Sequence, residues 1–487
     1  MKGYAWPYRD TPLLSVIVFF AAVVFSITLQ QPLLILIPFV WILFPVLYKF
    51  VVTKTETLFW VLLVLLPLST ELNITPQLGI DFPDEIFLML LTGIAFIKMI
   101  HRPEWFPDTL KKHFLFLALA VYLFWLLISC LYSVEPLLSV KYLLAKTWYI
   151  IPFVVLPQVL LTSQSRIGKA ALCLLVPMLL VVLQTLVRHS LYGFSFEKVQ
   201  KTLAPFFRNH VNYSSMLVCL LPVGWCAWKL MPDHQTSKKW LLAALLIGLT
   251  GLLFAYSRGA WVALLAGISA IWVIRKKWMG AFVLVAVAGV LLSTVWLVTD
   301  NRYMRFAPDH DKTVFHTDFG EHLQATVALK DVSNAERFYR WIAGARMLAD
   351  KPVTGFGPNT FYPHYQPYTV RRFETWVSDN KEHSTVHNYF ILVAIEQGVI
   401  GLLLFCILYF GMLLRIQKLY HQFQSRFYRN VSLTVGIILV MIGVINSLSD
   451  MIETDKIGSL FWLCLGMVIL LDTKCREERE MLARRGD

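Results

Sequence analysis

One histidine stands where it could act on a hydroxyl group. His387 comes directly after a long polar stretch, residues 300–386, and is followed by Asn388 and an apolar run. Because imidazole titrates near neutral pH, it can take a proton from a hydroxyl at working pH. A structural role stays open for a lone histidine, and three others of the same stretch compete with it: His322, His364 and His383. The sequence thus predicts His387 as a general base, with Asn388 beside it in a substrate-binding role.

Arg258 is a cation placed where positive charge is costly. It lies in Ser257-Arg258-Gly259-Ala260, where two apolar stretches meet with almost no loop between them. Arginine at the edge of the hydrocarbon is unfavourable unless it is paired or functional. The small neighbours let another group approach, and a guanidinium binds phosphate through two hydrogen bonds without losing its charge. We therefore predict a phosphate ligand for Arg258, although a side chain snorkelling from a helix end also fits the position.

The polar stretch holds a second candidate anion site. Ser333-Asn334-Ala335-Glu336 resembles a capping box and predicts a helix through about Ala349. Arg337 falls in its first turn, where backbone N–H groups favour an anion, and Arg340 follows one turn later. A solvated helix face would explain one or two such arginines equally well. One face of the helix is predicted to carry Phe338, Trp341, Ile342, Ala345 and Leu348.

Two further groups of polar residues suit a lipid diphosphate. Lys141 and Lys146 lie within a predicted span, where a buried ammonium needs an anion or a path to water. Arg208, His210 and Asn212 form a polar entry to a later span. A structural role is as open as a binding role for both groups.

The composition fixes the elements that must position these residues. The chain has 487 residues, 57% of them hydrophobic, and a mean hydropathy of +0.61, which indicates an all-α polytopic membrane protein. Continuous apolar runs exclude a β-barrel. We expect 12 to 14 transmembrane helices, from these candidate spans: 11–29, 31–52, 56–70, 84–100, 113–132, 137–161, 168–189, 211–230, 239–256, 259–274, 278–299, 388–413, 431–449 and 457–472.

The net charge of +13 is mostly an orientation signal. Lys and Arg concentrate in alternate loops, which predicts both termini inside and residues 300–386 outside. We expect an N-terminal transmembrane bundle at 1–299, an outer loop subdomain at 300–386, transmembrane helices at 387–472 and an inner tail at 473–487. Nucleic-acid binding is excluded, because a basic soluble face with interleaved aromatics is missing. The seven cysteines show no disulfide framework and no metal-ligand spacing.

Taken together, these motifs resemble the O-antigen ligase and polymerase superfamily over about residues 200–410. The resemblance rests on Ser257-Arg258-Gly259-Ala260, Arg337 with Trp341, Pro352-x-x-Gly355-x-Gly357, and His387-Asn388 followed by Glu396-x-Gly398-x-x-Gly401. It implies a GT-C-like, inverting glycosyltransferase that uses no metal or other cofactor. The enzyme would work at the periplasmic face of a bacterial inner membrane, with an undecaprenyl-diphosphate-linked glycan as donor. Arg258 and Arg337 would then hold the diphosphate, and His387 would deprotonate the acceptor.

Three alternatives remain at this point. A ligase transfers the glycan to lipid A-core, whereas a polymerase extends another lipid-linked glycan and a protein O-oligosaccharyltransferase modifies protein; the long loop favours the ligase. A metal-dependent mechanism would use acidic segments, for which Asp81-Phe82-Pro83-Asp84-Glu85 and Asp309-His310-Asp311 are the candidates. A transporter of lipid-linked sugars would need charges along a midplane path and two similar halves, neither of which is visible.

Overall fold

The computed structural model describes residues 53–75, 78–306, 332–375, 378–380 and 384–486, together with Ala21. Packing divides the chain into two compact units, Met1–Phe59 and Trp60–Asp487. Every site residue discussed below belongs to the second unit.

Helices dominate the described residues. The long helices are α1 Thr55–Leu65, α2 Asp84–His101, α3 Phe114–Leu131, α4 Pro136–Ile150, α5 Gln164–Ser190, α6 His210–Leu230, α7 Thr236–Leu253, α8 Arg258–Arg275, α9 Met279–Val298, α10 Val332–Asp350, α11 Tyr389–Gln422, α12 Arg426–Leu448 and α13 Asp455–Gly486. Helix α4 continues through a π-helical turn, Ile151–Val155, into Leu156–Leu160. Shorter helices are Asp108–Lys111, Val199–Thr202 and Phe361–His364, with 3₁₀ turns at Leu66–Leu68, Pro103–Trp105, Phe196–Lys198, Thr299–Phe306, Gln366–Tyr368, Arg371–Phe373 and Met451–Glu453. Strands β1 Thr70–Thr75 and β2 Leu78–Phe82 pair as an antiparallel hairpin.

The all-α membrane fold predicted from the sequence is confirmed. Ten helices of the described chain are long and apolar enough to cross a membrane, and they coincide with the ten predicted spans from 113–132 to 457–472. Predicted spans 56–70 and 84–100 are present as α1 and α2; α1 is shorter than a bilayer-crossing helix, and α2 carries three charged residues. Predicted spans 11–29 and 31–52 lie outside the described residues.

Helices α12 and α13 form the centre of the bundle. In the most apolar stretch of each helix, 78% of the residues are buried in α12 and 94% in α13. In the corresponding stretch of α9, none of the residues is buried. Close contact in the centre depends on small residues: a Cβ added to Gly267 of α8 would lie 2.1 Å from Cε of Met441 in α12. Van der Waals packing of this kind drives helix association in membranes. The residues that follow α12 are therefore held on a rigid base.

Helix α11 is interrupted at Gly398, and the glycine-rich loop fills the gap. Gly398 has φ +70°, and a Cβ there would lie 1.9 Å from the carbonyl oxygen of Val353. The loop 352–357 supplies the missing hydrogen bonds; for example, the N–H of Gly357 donates to the carbonyl of Glu396 at 2.8 Å. Unsatisfied backbone groups at membrane depth would be costly, so the loop and the break stabilise each other. This contact gives a structural reason for the glycines of the Pro352-x-x-Gly355-x-Gly357 and Glu396-x-Gly398-x-x-Gly401 motifs.

Helix α10 agrees with the helix that the capping-box signature predicted. The structure extends the helix over Val332–Asp350. Its buried stripe includes Ala335, Tyr339, Ala343 and Met347, with Gly344 in contact with Ile395 of α11. The five residues predicted to share one face are outside this buried stripe: Phe338, Trp341, Ile342, Ala345 and Leu348. The two helices approach each other closely, which requires small residues at the contact. A hydrophobic pattern alone does not indicate such a contact.

Candidate active site

His387 faces a carboxylate at one end of the bundle. Its Nδ1 lies 3.8 Å from Oδ1 of Asp450, in the turn after α12. The imidazole remains about one-third exposed, so a substrate can reach the ring. A carboxylate on Nδ1 orients the ring and stabilises the imidazolium that forms when a proton is taken up. This is the arrangement that a general base requires.

Asp450 is held in its ionised form. Burial raises the pKa of its carboxyl, but the interaction with the nearby His387 and a hydrogen bond from Thr385 outweigh burial and keep that pKa below its ordinary value. Thr385 Oγ1 donates to Asp450 Oδ2 at 2.5 Å. Since the pKa is lowered on folding, the stabilisation from this carboxylate is present above the ordinary pKa and is lost as the pH falls through the lower, folded-state value.

The backbone of His387 is strained. Its φ is +53°, a left-handed conformation that costs a side-chain-bearing residue roughly 1–2 kcal/mol. Such strain persists only where the surroundings determine it, and it often marks a functional residue. The backbone N–H of His387 points at Oγ1 of Thr385, 3.4 Å away. Thr385 thus contacts both members of the His387–Asp450 pair.

Helix α10 clamps the segment that leads to His387. Arg340 donates through Nη1 to the carbonyl of Thr385 at 3.4 Å, and Trp341 Nε1 donates to that of Val386 at 3.0 Å. Arg340 is itself buried and paired with Glu336 at 3.0 Å. The structure therefore gives Arg340 a positioning role, and its charge is already matched by a carboxylate.

Arg337 lies on the same helix, one turn before Trp341. Residues four apart on a helix share a face, so Arg337 is on the side of α10 that meets the segment before His387. Its side chain is partly exposed. This location suits the predicted contact with an anion next to His387.

Arg258 begins helix α8, beside the end of α12. Helix α7 ends at Leu253 and α8 starts at Arg258, which confirms the nearly absent loop between these spans. A Cβ on Gly259 would lie 3.8 Å from Cδ1 of Leu448, the last residue of α12, and Asp450 follows two residues later. The start of α8 and the His387–Asp450 pair are consequently at the same end of the bundle. A helix N-terminus next to a guanidinium favours an anion.

Asn388 caps helix α11. Its side chain accepts a hydrogen bond from the N–H of Ile391 and donates to the carbonyl of Ser447 at 2.9 Å. It therefore fixes the helix start that carries His387 against the end of α12. These contacts give Asn388 a positioning role in the fold.

A polar cavity of about 290 Å³ opens next to Thr385. Its lining includes Glu85, Lys141, Tyr142, Lys146, Tyr149, Asn359, Thr385, Glu396, Glu453 and Trp462. Lys146 is buried and donates to Glu453 at 2.9 Å, and the Tyr142 hydroxyl donates to the same oxygen at 2.8 Å. Lys146 thus has a carboxylate partner, whereas Lys141 is exposed at the cavity wall. Carboxylates, tyrosines and a tryptophan suit hydroxyl-rich ligands better than a diphosphate.

The polar entry to α6 is organised by local contacts. Asn209 caps the helix by accepting from the N–H of Asn212 at 2.9 Å. Gln200 accepts from the N–H of His210 and donates to the carbonyl of Arg208. The Arg208 side chain is exposed. Gln200 therefore links the backbones of Arg208 and His210, and Asn209 is the residue whose side chain caps the helix.

The acidic segment of the metal-dependent alternative lies at the start of α2. Asp84 and Glu85 occupy its first turn, where carboxylates complement the helix dipole. Burial, followed by the nearby Asp455 carboxylate, raises the pKa of Asp81 to about 7. Within the described residues, no group of three or more His, Cys, Asp or Glu side chains is placed to hold a metal ion. The other acidic segment, Asp309-His310-Asp311, is outside the described residues.

Sequence reasoning missed Asp450, Glu453 and Thr385. The signal was the short segment between the last two spans, which carries Asp450, Glu453, Asp455 and Lys456 between apolar helices. Charged residues so near the membrane are functional candidates by default. Their partners, however, are far away in the chain, and no local pattern identifies them.

Fold and site together define a multi-pass helical membrane protein with a histidine–aspartate pair and two arginine-bearing helices at one end of its bundle. Residues 243–406 match the family model described as O-antigen ligase, which confirms the resemblance drawn from the sequence. The match covers about a third of the chain; it includes Arg258, Arg337 and His387 and points to a transferase of the ligase or polymerase kind. No curated protein matches the chain.

Proposed function

We propose that the protein is an inverting, metal-independent glycosyltransferase that moves a glycan from undecaprenyl diphosphate to lipid A-core at the periplasmic face. The observation that carries this proposal is the His387–Asp450 pair at the end of the bundle where α8 and α10 bring Arg258 and Arg337. The O-antigen ligase match over these three sequence-predicted residues supports it.

The transfer step needs one base and one anion site. The acceptor hydroxyl attacks the anomeric carbon, its proton passes to the imidazole of His387, and the bond from that carbon to the diphosphate breaks. The departing electron pair adds negative charge to the diphosphate. Arg258 and Arg337 stabilise that charge as fixed cations, so the step needs no metal ion. Attack opposite the leaving group inverts the anomeric carbon.

The polar cavity is the proposed site for a sugar ring. Glu453, Glu396 and Asn359 offer acceptors and donors for hydroxyl groups, and Trp462 offers an apolar face. Its wall at Thr385 is one hydrogen bond from Asp450, so a sugar held there lies beside the base. Holding both substrates in the plane of the membrane supplies much of the orientation that transfer requires.

Reconstitution in liposomes tests the proposal. The protein is given an undecaprenyl-diphosphate glycan and either lipid A-core or a second lipid-linked glycan as acceptor. We expect transfer to lipid A-core by the wild type and none by His387→Ala or Arg258→Ala, with all three folded and inserted. Elongation of the second glycan instead would establish a polymerase. If neither acceptor is modified while the lipid-linked glycan crosses the bilayer, the protein is a transporter and the enzymatic proposal fails.

A further inference from the structure

A groove of about 660 Å³ lies at the other end of the bundle, between helices α3, α11 and α13. Its long wall is apolar and lies on the surface of the protein: Phe114 is 60% exposed, Leu403 56% and Ile407 50%. Side chains of this kind face lipid in a membrane protein. The groove therefore offers a continuous surface to a hydrocarbon chain.

The groove ends at a cluster of cations. Arg415 and Lys418 on α11 and Arg476 on α13 line it, together with the carboxylate of Asp472. Three cations and one carboxylate leave two positive charges, with His113 counted as neutral. Helix α11 extends roughly 13 Å from Tyr389 beside the active site to its break at Gly398 and roughly 25 Å from there to Arg415, at 1.5 Å per residue. Together these lengths place the cations at the opposite membrane interface, since the hydrocarbon core is about 30 Å thick.

Asp472 fixes the cations at the end of the groove. It is 2% exposed, accepts a short hydrogen bond from Arg415 and lies 3.0 Å from Nη2 of Arg476. His113 Nε2 is 3.1 Å from the same carboxylate. Lys and Arg residues that only set the orientation in the membrane need no partner and need only to be near the membrane surface. Here, a buried carboxylate holds two guanidinium groups where the apolar wall ends.

We propose that this groove binds one anionic phospholipid. The phosphate diester lies against Arg415, Lys418 and Arg476, and one acyl chain follows the wall formed by Phe114, Leu403 and Ile407. Basic pockets between transmembrane helices bind anionic head groups in this way. The cations favour an anionic head group over a neutral one, and the apolar wall favours a lipid over a free phosphate. The site is separate from the active site and does not depend on the proposed transferase activity.

Lipid titration of the purified full-length protein tests the proposal. Native mass spectrometry in detergent would compare dioleoyl phosphatidylglycerol, dioleoyl phosphatidylcholine and glycerol 3-phosphate. We expect tight binding of one phosphatidylglycerol only. The double variant Lys418→Gln/Arg476→Gln should bind it about 30-fold more weakly, because each cation near the surface contributes about a factor of five. The matched control, Lys474→Gln/Arg484→Gln, removes the same charge from α13 outside the groove and should bind like the wild type.

A second variant tests the apolar wall. Ile407→Trp changes a lipid-facing position, so the fold should tolerate it, and the larger side chain should weaken phosphatidylglycerol binding by obstructing the acyl chain. Equal binding of phosphatidylcholine, saturation by glycerol 3-phosphate alone, or unchanged phosphatidylglycerol binding by the Lys418→Gln/Arg476→Gln variant would each overturn the proposal.

Discussion

Two half-buried carboxylates lie next to basic side chains near the proposed site, and they differ in how exposed the basic side chain is. Asp450 lies 3.8 Å from one nitrogen of His387, whose side chain is about one-third exposed. Glu453 instead accepts from Lys146 and Tyr142, and Lys146 is 95% buried. The first pair can exchange a proton with a substrate, whereas the second consists of matched charges inside the protein. We therefore propose His387 for the chemistry and a structural role for Lys146.

Asp450→Asn should slow transfer by about 10²-fold or more, since a well-placed general base contributes about 10²- to 10⁴-fold. The loss should appear in kcat with little change in KM for the donor, because Asp450 acts through His387. Steady-state kinetics in liposomes would show this, with Asp379→Asn, an exposed carboxylate of the long loop before His387, as control. A rise in KM alone, with kcat unchanged, would show that Asp450 has no part in orienting the base.

Lys146→Met should destabilise the protein by about 3–5 kcal/mol, because it leaves Glu453 without its cation in a buried site. The double variant Lys146→Met/Glu453→Gln should recover most of that stability. Thermal unfolding in detergent measures both changes. If Lys146→Met keeps wild-type stability and only raises KM for the donor, Lys146 is a diphosphate ligand after all.

Two elements position the base: the interrupted helix α11 and the helix α10 that lies across it. Asn388 starts α11 against the end of α12, while Arg340 and Trp341 hold the segment before His387. The sequence predicted both helices, because apolar runs and capping signals are local. It could not predict the break at Gly398 or the buried face of α10, since both depend on contacts with distant residues.

Gly398→Ala should destabilise the protein more than an alanine at another left-handed glycine. Both Gly398 and Gly193 have positive φ, +70° and +60°, but only at Gly398 would a Cβ meet backbone, 1.9 Å from the Val353 carbonyl oxygen. We expect about 1 kcal/mol for Gly193→Ala from the backbone conformation alone. Gly398→Ala should lose several times more and also lower activity. Equal shifts in Tm for the two variants would mean that the loop does not fill the helix break.

At the scale of the whole molecule, the two ends of the bundle differ in chemistry. One end carries the His387–Asp450 pair, and the other carries Arg415, Lys418 and Arg476 around a groove. Charge counting from the sequence predicted this polarity, because Lys and Arg favour the inner side. Arg258, Arg337 and His387 were also predicted as site residues from the sequence, since each is unusual for its place. Asp450 was not, because only the folded bundle brings it to His387.

The predicted orientation can be tested with cysteine labelling in intact cells. Glu374→Cys lies in the long loop and should react with a membrane-impermeant maleimide, whereas Lys418→Cys should react only after the membrane is permeabilised. Both side chains are exposed, so accessibility depends on the side of the membrane. The wild type, with its seven cysteines, provides the background. If only Lys418→Cys were labelled in intact cells, the topology would be the reverse of the predicted one.

The most direct test of the central claim is single-turnover transfer by His387→Ala in liposomes, with and without added imidazole. If His387 is the base, the variant should bind donor normally and lose about 10²- to 10⁴-fold in rate, and imidazole should restore part of it. A correctly folded His387→Ala protein that transfers glycan at the wild-type rate without imidazole would contradict the account.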